Sequence, residues 1–402
     1  MSPESERSCK DLLVISHSYN DFQKDPTEIN APRFSSVNVL VRANLFAEAG
    51  QYLHLPIPQL KLYSSRYKID MTGIPANVHV RLTPILYFPT DHGYKTLGEK
   101  HLSGVEAQIQ KHGIAFDLVH AHFIWSSGYV GARLKEKYSV PFVVTAHGED
   151  IYLLPFKDAI WRKKIEYVLN TADAIITVSQ SNLECIRKLD VDTPVHVIPN
   201  GFRSDLFHPK EMSECRKVLG LPLDRRILLT VGILEQVKGQ KYLVEAVSRI
   251  IREQKDVLCI IVGYGSEKDS LERQIRSLGL ENHIMLAGMK PHSEIPLWIN
   301  ACDLFVLPSL NEGNPTVLFE ALGCGKPFIG TNIGGVPDII TSDVYGLLVT
   351  PADPEDLKEK ILIALDRRWD RDAILAHAEQ FTWENIAKEI QGVYNQVFQM
   401  RL

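Results

Sequence analysis

The chain lacks any apolar run near the roughly 18 residues a membrane-spanning helix needs, and Met1 to Lys10 is polar, so neither a transmembrane segment nor a signal peptide is expected. Cysteine is scarce: the six residues Cys9, Cys185, Cys215, Cys259, Cys302 and Cys324 are scattered with no C-x-x-C. Such spacing offers no zinc motif or disulfide framework, and free thiols in a reducing cytoplasm are the expectation. Positive charge is not in excess, since 44 Lys and Arg against 49 Asp and Glu give a net charge of −5, and nothing calls for nucleic acid. Low-complexity segments, sequence repeats, a P-loop lysine motif and a Ser/His/Asp order are all missing. Two Asp-x-Asp triplets, 190–192 and 370–372, flank helices rather than follow strands. No metal and no cofactor is therefore expected.

What is present is ordinary in bulk: 402 residues, 45% hydrophobic and 23% charged, enough for a globular protein of two domains. Residues 11–16 read as a buried strand ending at His17, followed by a polar loop over 17–33 and a helix from about Ser35 to Ala49 with Gly50 as its cap. Residues 51–116 are poorly periodic, with Pro at 56, 58, 75, 84 and 89, and read as loops and short strands. From Asp117, strands alternate with helices up to Pro199, residues 201–224 read as a linker, and the alternation restarts at Ile227. Two such arrays predict an α/β protein with two Rossmann-like parallel sheets. The expected domains are 1–203, 204–381 and a terminal helix over 382–402.

The most informative stretch is Leu307 to Gly325. An apolar strand ends at Pro308, a polar loop follows, and then a helix is expected with Asn314 as N-cap and Pro315 at the first helical position. A helix N-terminus attracts phosphate. Glu312 and Glu320 flank it, and carboxylates accept hydrogen bonds from sugar hydroxyls. Taken alone, the same residues describe a capped buried helix with two solvated glutamates. Other candidates sit near strand ends, where open parallel sheets bind ligands: His122, His147, Gly232, Gly263 and Gly334. Lys238 can place a point charge on a diphosphate, and His147 can bond a hydroxyl or shuttle a proton. A capping or structural histidine remains the other reading of His147, and His122 is read equally either way. A hydrolase with paired carboxyls is not excluded by the spacing of Glu312 and Glu320.

The setting Pro-Ser-x-x-Glu-Gly…Glu-Ala-x-x-x-Gly-x-Pro around Glu312 and Glu320 resembles the E-x7-E signature of the retaining, nucleotide-sugar-dependent glycosyltransferases of family 4. Val-Gly-x-Leu-x-x-x-Lys-Gly at 231–239, Val-Gly-Tyr-Gly at 262–265, Gly-Gly-Val-Pro-Asp at 334–338, Ile-Pro-Asn-Gly at 198–201 and Thr-Ala-His-Gly at 145–148 match in the family's order. The resemblance implies the GT-B fold, two Rossmann-like domains facing a cleft with the last helix crossing back to the N-terminal domain. It implies hexosyl transfer to an acceptor hydroxyl with retention and without a divalent metal. It also implies that Glu312 meets the donor sugar, that Glu320 binds the ribose, and that Gly232, Lys238, Gly263, Gly313, Asn314, Pro315, Thr316 and Val317 bind the donor. His147 is implied at the reacting sugar, with His122 and Asp150 on the acceptor side. Two departures stand out. Ile233 replaces an arginine that many members carry as a second phosphate contact. Asn30-Ala31-Pro32-Arg33 stands where members often have a Gly-Gly pair beside the acceptor.

The partners expected are thus a nucleoside diphosphate sugar, as co-substrate rather than cofactor, and a hydroxyl acceptor. The expected location is cytoplasmic, with peripheral contact at the inner membrane face suggested by basic residues Lys61, Arg66, Lys68 and Arg133 to Lys137. Rival readings are a sugar-nucleotide epimerase of related fold and a nucleotide-sugar-binding protein without turnover.

Overall fold

The strand–helix alternation builds two separate parallel sheets in the computed structural model, which describes residues 10–52, 68–88 and 90–400. By its internal contacts the chain divides into Met1–Pro199 with Ile386–Leu402, and Asn200–Asn385.

The first unit holds seven parallel strands: β1 Asp11–Ser16, β2 Ser36–Asn44, β3 Val78–Ile85, β4 Leu118–His122, β5 Phe142–Ala146, β6 Ala174–Thr177 and β7 Val195–Val197. Their order is β3-β2-β1-β4-β5-β6-β7. Strands covered on both faces need apolar residues throughout, and Leu12 to Ile15 and Phe142 to Ala146 are buried at each position. On one face, Ile15, Val119, Ala121 and Val144 pack with Trp161, Ile165 and Val168 of the helix Ala159–Thr171. Ile386–Leu402 joins this unit from the far end of the chain. Tyr394 from that terminal helix meets His120 Nδ1 at 2.7 Å, and Lys10 Nζ lies 3.3 Å from the Phe398 ring centroid.

Four expectations for this unit and its junction are corrected. The span 17–33 is not a loop but a helix, Asp21–Asn30, with a final turn at Ala31–Arg33. Its polar composition hid it, because its buried face uses polar pairs: Lys24 Nζ donates to Asp70 Oδ2 at 2.6 Å and to Thr72 O at 2.5 Å. The helix expected over 35–49 is strand β2 followed by the helix Leu45–Tyr52. Val37, Val39 and Val41 alternate in the strand period, and β-branched residues favour that state. Residues 51–116 contain β3 and the long helix Leu97–His112, whose buried stripe Leu97, His101, Val105 and Ile109 follows helical spacing. The linker 201–224 carries the helix Met212–Leu219, anchored by buried Arg216, which reaches Asp303 Oδ2 at 2.7 Å.

The second unit is a six-stranded parallel sheet: β8 Arg226–Val231, β9 Val257–Val262, β10 Ile284–Gly288, β11 Leu304–Leu307, β12 Phe328–Thr331 and β13 Gly346–Val349, ordered β10-β9-β8-β11-β12-β13. Strand alternation divides its core into two layers. Ile227, Leu229, Ile260, Phe305 and Leu307 face one cluster, while Leu228, Cys259, Ile261, Leu304 and Val306 face the other. Near the ends of this unit, Phe202 N donates to Phe381 O and Trp383 N to Phe202 O, both at 3.0 Å. Among the described residues no helix is long and apolar enough to cross a membrane.

Candidate active site

In each sheet the strand order reverses at one place, and ligands of open parallel sheets bind there, beyond the carboxyl ends. In the second sheet the reversal lies between β8 and β11. The loop after β8 carries Gly232 and Lys238, and the loop after β11 carries Ser309 and Glu312. Leu310 N donates to Val237 O at 2.7 Å, which ties the two loops together. Gly239 is required at this junction: its φ is +65°, and a Cβ there would lie 2.0 Å from Pro308 O.

Lys238 Nζ meets Glu312 Oε1 at 2.7 Å, and Ser309 Oγ donates to the same oxygen at 2.6 Å. Glu312 is 8% exposed, and Ser309 is fully buried. Both bonds fall on Oε1, so Oε2 remains an acceptor without a partner among the described residues. The carboxylate is fixed on one side and open on the other. Its backbone is fixed as well: Gly335 N donates to Gly313 O at 2.9 Å, and a Cβ on Gly334 would lie 1.7 Å from Glu312 O.

The helix after this loop spans Thr316–Gly323. The N-cap expectation is corrected here. Pro315, not Asn314, occupies the cap position, with no side-chain capping bond. Asn314 is held elsewhere, because Asn200 N donates to its Oδ1 at 2.7 Å and Asn200 Nδ2 to its carbonyl at 2.8 Å. Leu318 N donates to Pro315 O at 3.1 Å, so the amides of Thr316 and Val317 precede the first helical bond and form the positive end of the helix. Glu320, 5% exposed, meets His292 Nε2 at 2.9 Å. His292 follows β10 and was not singled out from the sequence, although its place after a strand end was a usable signal. Gly263, φ +151°, lies so close to Gly232 that a Cβ would sit 1.8 Å from Gly232 O, whereas a Cβ on Gly232 itself would meet nothing within 4 Å. Gly263 is thus a packing requirement and Gly232 borders open space.

In the first sheet the reversal lies between β1 and β4. His17 follows β1, His122 ends β4 and His147 follows β5. His122 Nδ1 and His147 Nε2 are 3.0 Å apart, with the rings stacked at 5.3 Å. Phe123 packs 4.6 Å from His147 and 4.0 Å from His17. Burial pushes His122 down to about 4 and His147 well below the usual histidine range, so both are neutral at pH 7. Asp150 ties the loops after β4 and β5 together, since its Oδ2 accepts from Ile124 N and its Oδ1 from Gly148 N, both at 2.8 Å. Burial outweighs these amide bonds and raises its pKa to about 6. His120 is occupied by Tyr394 and Thr145.

Of the triplets, Asp370 caps the helix Arg371–Ala378 by accepting from Ala373 N, and Asp190 and Asp192 are exposed. No group of three or more His, Cys, Asp or Glu in metal-holding geometry occurs among the described residues. The basic stretch at 133–137 is neutralised, since Arg133 pairs with Glu136, Lys135 with Asp173 and Lys137 with Glu106. Lys61 and Arg66 lie outside the described residues.

Two Rossmann-like parallel sheets with polar side chains gathered at both reversal points define the GT-B class of glycosyltransferase fold. The family model Glycosyl transferases group 1 matches residues 211–381, and Glycosyltransferase Family 4 matches 63–206. The chain is 33% identical over 64% of its length, and 64% of the relative's, to TuaC of Bacillus subtilis, named for teichuronic acid biosynthesis. It is 30% identical to the glycosyltransferase MJ1178 of Methanocaldococcus jannaschii, over 72% of this chain and 77% of that one. The structure of HepE from Anabaena in complex with UDP-glucose superposes with a TM-score of 0.71 at 22% identity, covering 96% of this chain and all of that one. The chain belongs to the family 4, group 1 type glycosyltransferases.

Proposed function

We propose that this protein transfers a hexosyl unit, with retention, from a nucleoside diphosphate sugar to the hydroxyl of a glycan or lipid-linked sugar. The observation that carries the reading is the Lys238–Glu312–Ser309 cluster beside the reversal point of the second sheet, ahead of a helix N-terminus. Lys238 and the Thr316 and Val317 amides supply fixed positive charge where diphosphate charge develops as the glycosidic bond breaks. Glu312 Oε2 accepts a sugar hydroxyl while Oε1 stays anchored. Glu320 accepts the ribose hydroxyls in exchange for His292. On the first unit, neutral His147, beside His122, offers a hydrogen-bonding group for the acceptor hydroxyl. No step in this reading calls on a metal ion.

HepE is seen in complex with UDP-glucose, and TuaC is named for teichuronic acid biosynthesis; these favour a UDP-hexose donor and a glycan acceptor here. Buried free thiols at Cys215, Cys259, Cys302 and Cys324 favour a cytoplasmic setting. The test is a thermal-shift screen of UDP-, GDP- and ADP-sugars. One donor class should raise the Tm of wild type, because a ligand that binds only the folded state stabilises it. The rise should shrink in Lys238→Ala. No response to any donor would contradict the reading.

A further inference from the structure

We propose that the first unit carries a buried oxyanion pocket, built on Arg42, Ser126 and His101, that takes the carboxylate or phosphate group of an anionic acceptor. Its assignment to the acceptor rests on the glycosyltransferase reading, whereas the pocket itself rests on the geometry that follows.

Arg42 lies two residues before the carboxyl end of β2 and is only 5% exposed. A guanidinium stays charged in a protein, and burying it is costly unless a counter-charge and hydrogen bonds compensate. Here the compensation is incomplete. One terminal nitrogen donates to Ser126 Oγ at 2.9 Å. The ring centroids of Tyr87 and Tyr94 lie 5.3 and 5.9 Å from its Cζ. No carboxylate pairs with it among the described residues, and its buried Nε–H has no partner.

His101, fully buried on the helix Leu97–His112, meets the same Ser126 Oγ through Nδ1 at 2.9 Å. Burial and the Arg42 charge hold its pKa far down, so the ring is neutral. His101 Nε2, on the far side of the ring from that contact, is buried with no partner. Two buried nitrogens, Arg42 Nε and His101 Nε2, on side chains that share one serine, are therefore without a partner. Unpaired buried donors are rare in folded proteins. An oxyanion accepts from the Arg42 Nε–H, favours the tautomer with the proton on His101 Nε2 and supplies the missing negative charge, and arginine is the side chain best shaped for carboxylate or phosphate.

The surroundings reinforce the sign. Lys68, whose carbonyl accepts from Tyr19 N at 2.7 Å, is lowered to about 8 by burial and by Arg42, with Glu48 the opposing acid. His17 is depressed by burial, then by Arg42 and Lys68. His17 in turn packs on Phe123, and Phe123 on His147. An acceptor anchored by its anionic group in this pocket keeps its hydroxyl end toward the histidines.

The test is binding of three small probes to the donor-free full chain at constant ionic strength, followed by Tm and titration calorimetry. The probes are glycerol phosphate, D-glucuronate and neutral D-glucose. We expect at least one anion to bind and raise the Tm while glucose does not, and the preferred anion distinguishes phosphate from carboxylate. The response should persist in Lys238→Ala, which excludes the donor phosphate site. It should weaken at least tenfold in Arg42→Gln, with Arg42→Lys intermediate. If Arg42→Gln does not fold, Ser126→Ala and His101→Gln carry the comparison. Indifference of wild type to both anions, or an unchanged response in folded Arg42 and Ser126 variants, overturns the pocket. Donor binding by wild type is measured separately: its loss would remove the transferase reading and leave the pocket standing.

Discussion

Replacing Glu312 by Gln changes one atom at the proposed sugar contact. Oε1 is anchored by Ser309 and Lys238 at 2.6 and 2.7 Å, and the amide oxygen can keep both partners. The other position changes from an acceptor to an NH2 donor and faces the sugar hydroxyl with the wrong polarity. Lys238 loses its ion-pair partner, but its side chain is 25% exposed and reaches water. The stability cost is therefore about 1 kcal/mol, a Tm shift of about 2 to 4 °C. The rate cost is larger if the proposed contact strengthens in the transition state: kcat should fall about 100-fold, or about 2.7 kcal/mol. The donor KM should change little, since the nucleotide is held by other groups. The assay is donor-dependent steady-state kinetics with circular-dichroism melting of the same preparations. Full kcat in a folded Glu312→Gln protein would refute the assignment. A large Tm loss would mean the residue is structural.

Glu320→Gln should raise the donor KM with kcat nearly unchanged, since a nucleoside contact is made equally in ground and transition states; a kcat loss matching that of Glu312→Gln would sink the division of roles. His122 titrates near 4 in the folded state against 6.5 unfolded, so it stays neutral while the unfolded chain takes up a proton. Its contribution, about 3 kcal/mol, is present above pH 6.5 and is lost as pH falls toward 4. His122→Gln should thus lose less stability than wild type between pH 7 and 5 in urea titrations, and equal slopes would contradict this. Asp150, raised to about 6, works in the opposite direction and gains stability on acidification. Gly263→Ala should fail to yield folded protein, since its Cβ would sit 1.8 Å from Gly232 O; a normal melting curve would contradict the backbone geometry. Transfer should survive exhaustive chelation, and activity that vanishes with EDTA and returns with Mn²⁺ would overturn metal independence.

The second sheet was legible because its strands are covered on both faces: Ile227 to Leu229 and Leu258 to Val262 are short apolar runs, of the length of buried strands, in a regular alternation with helices. The first sheet was half legible. Strand β2 mixes Asn38 and Arg42 with its valines, and Gly50 reads as the cap of a helix. The helix Asp21–Asn30 contains Pro26 and few apolar residues, so its polar pairing could be seen only in three dimensions. Lys238 and Glu312 could be chosen from sequence because strand ends attract ligands. Their ion pair, the role of Ser309 and the His292–Glu320 contact depend on loop geometry that spacing does not encode. Arg42 was hidden by the misread strand, and Asn314 was misplaced because Asn200, far away in sequence, captures it.

The most direct test of the central claim is the stereochemistry of turnover. UDP-α-glucose, or the donor the thermal screen selects, is incubated with wild type and followed by proton NMR before mutarotation can mix the anomers. The account predicts that the first-formed sugar product, on an added acceptor or on water, keeps the donor's anomeric configuration (α from UDP-α-glucose), and that Glu312→Gln slows its appearance about 100-fold. A first-formed product of inverted configuration, or an epimerised nucleotide sugar without transfer, would contradict it.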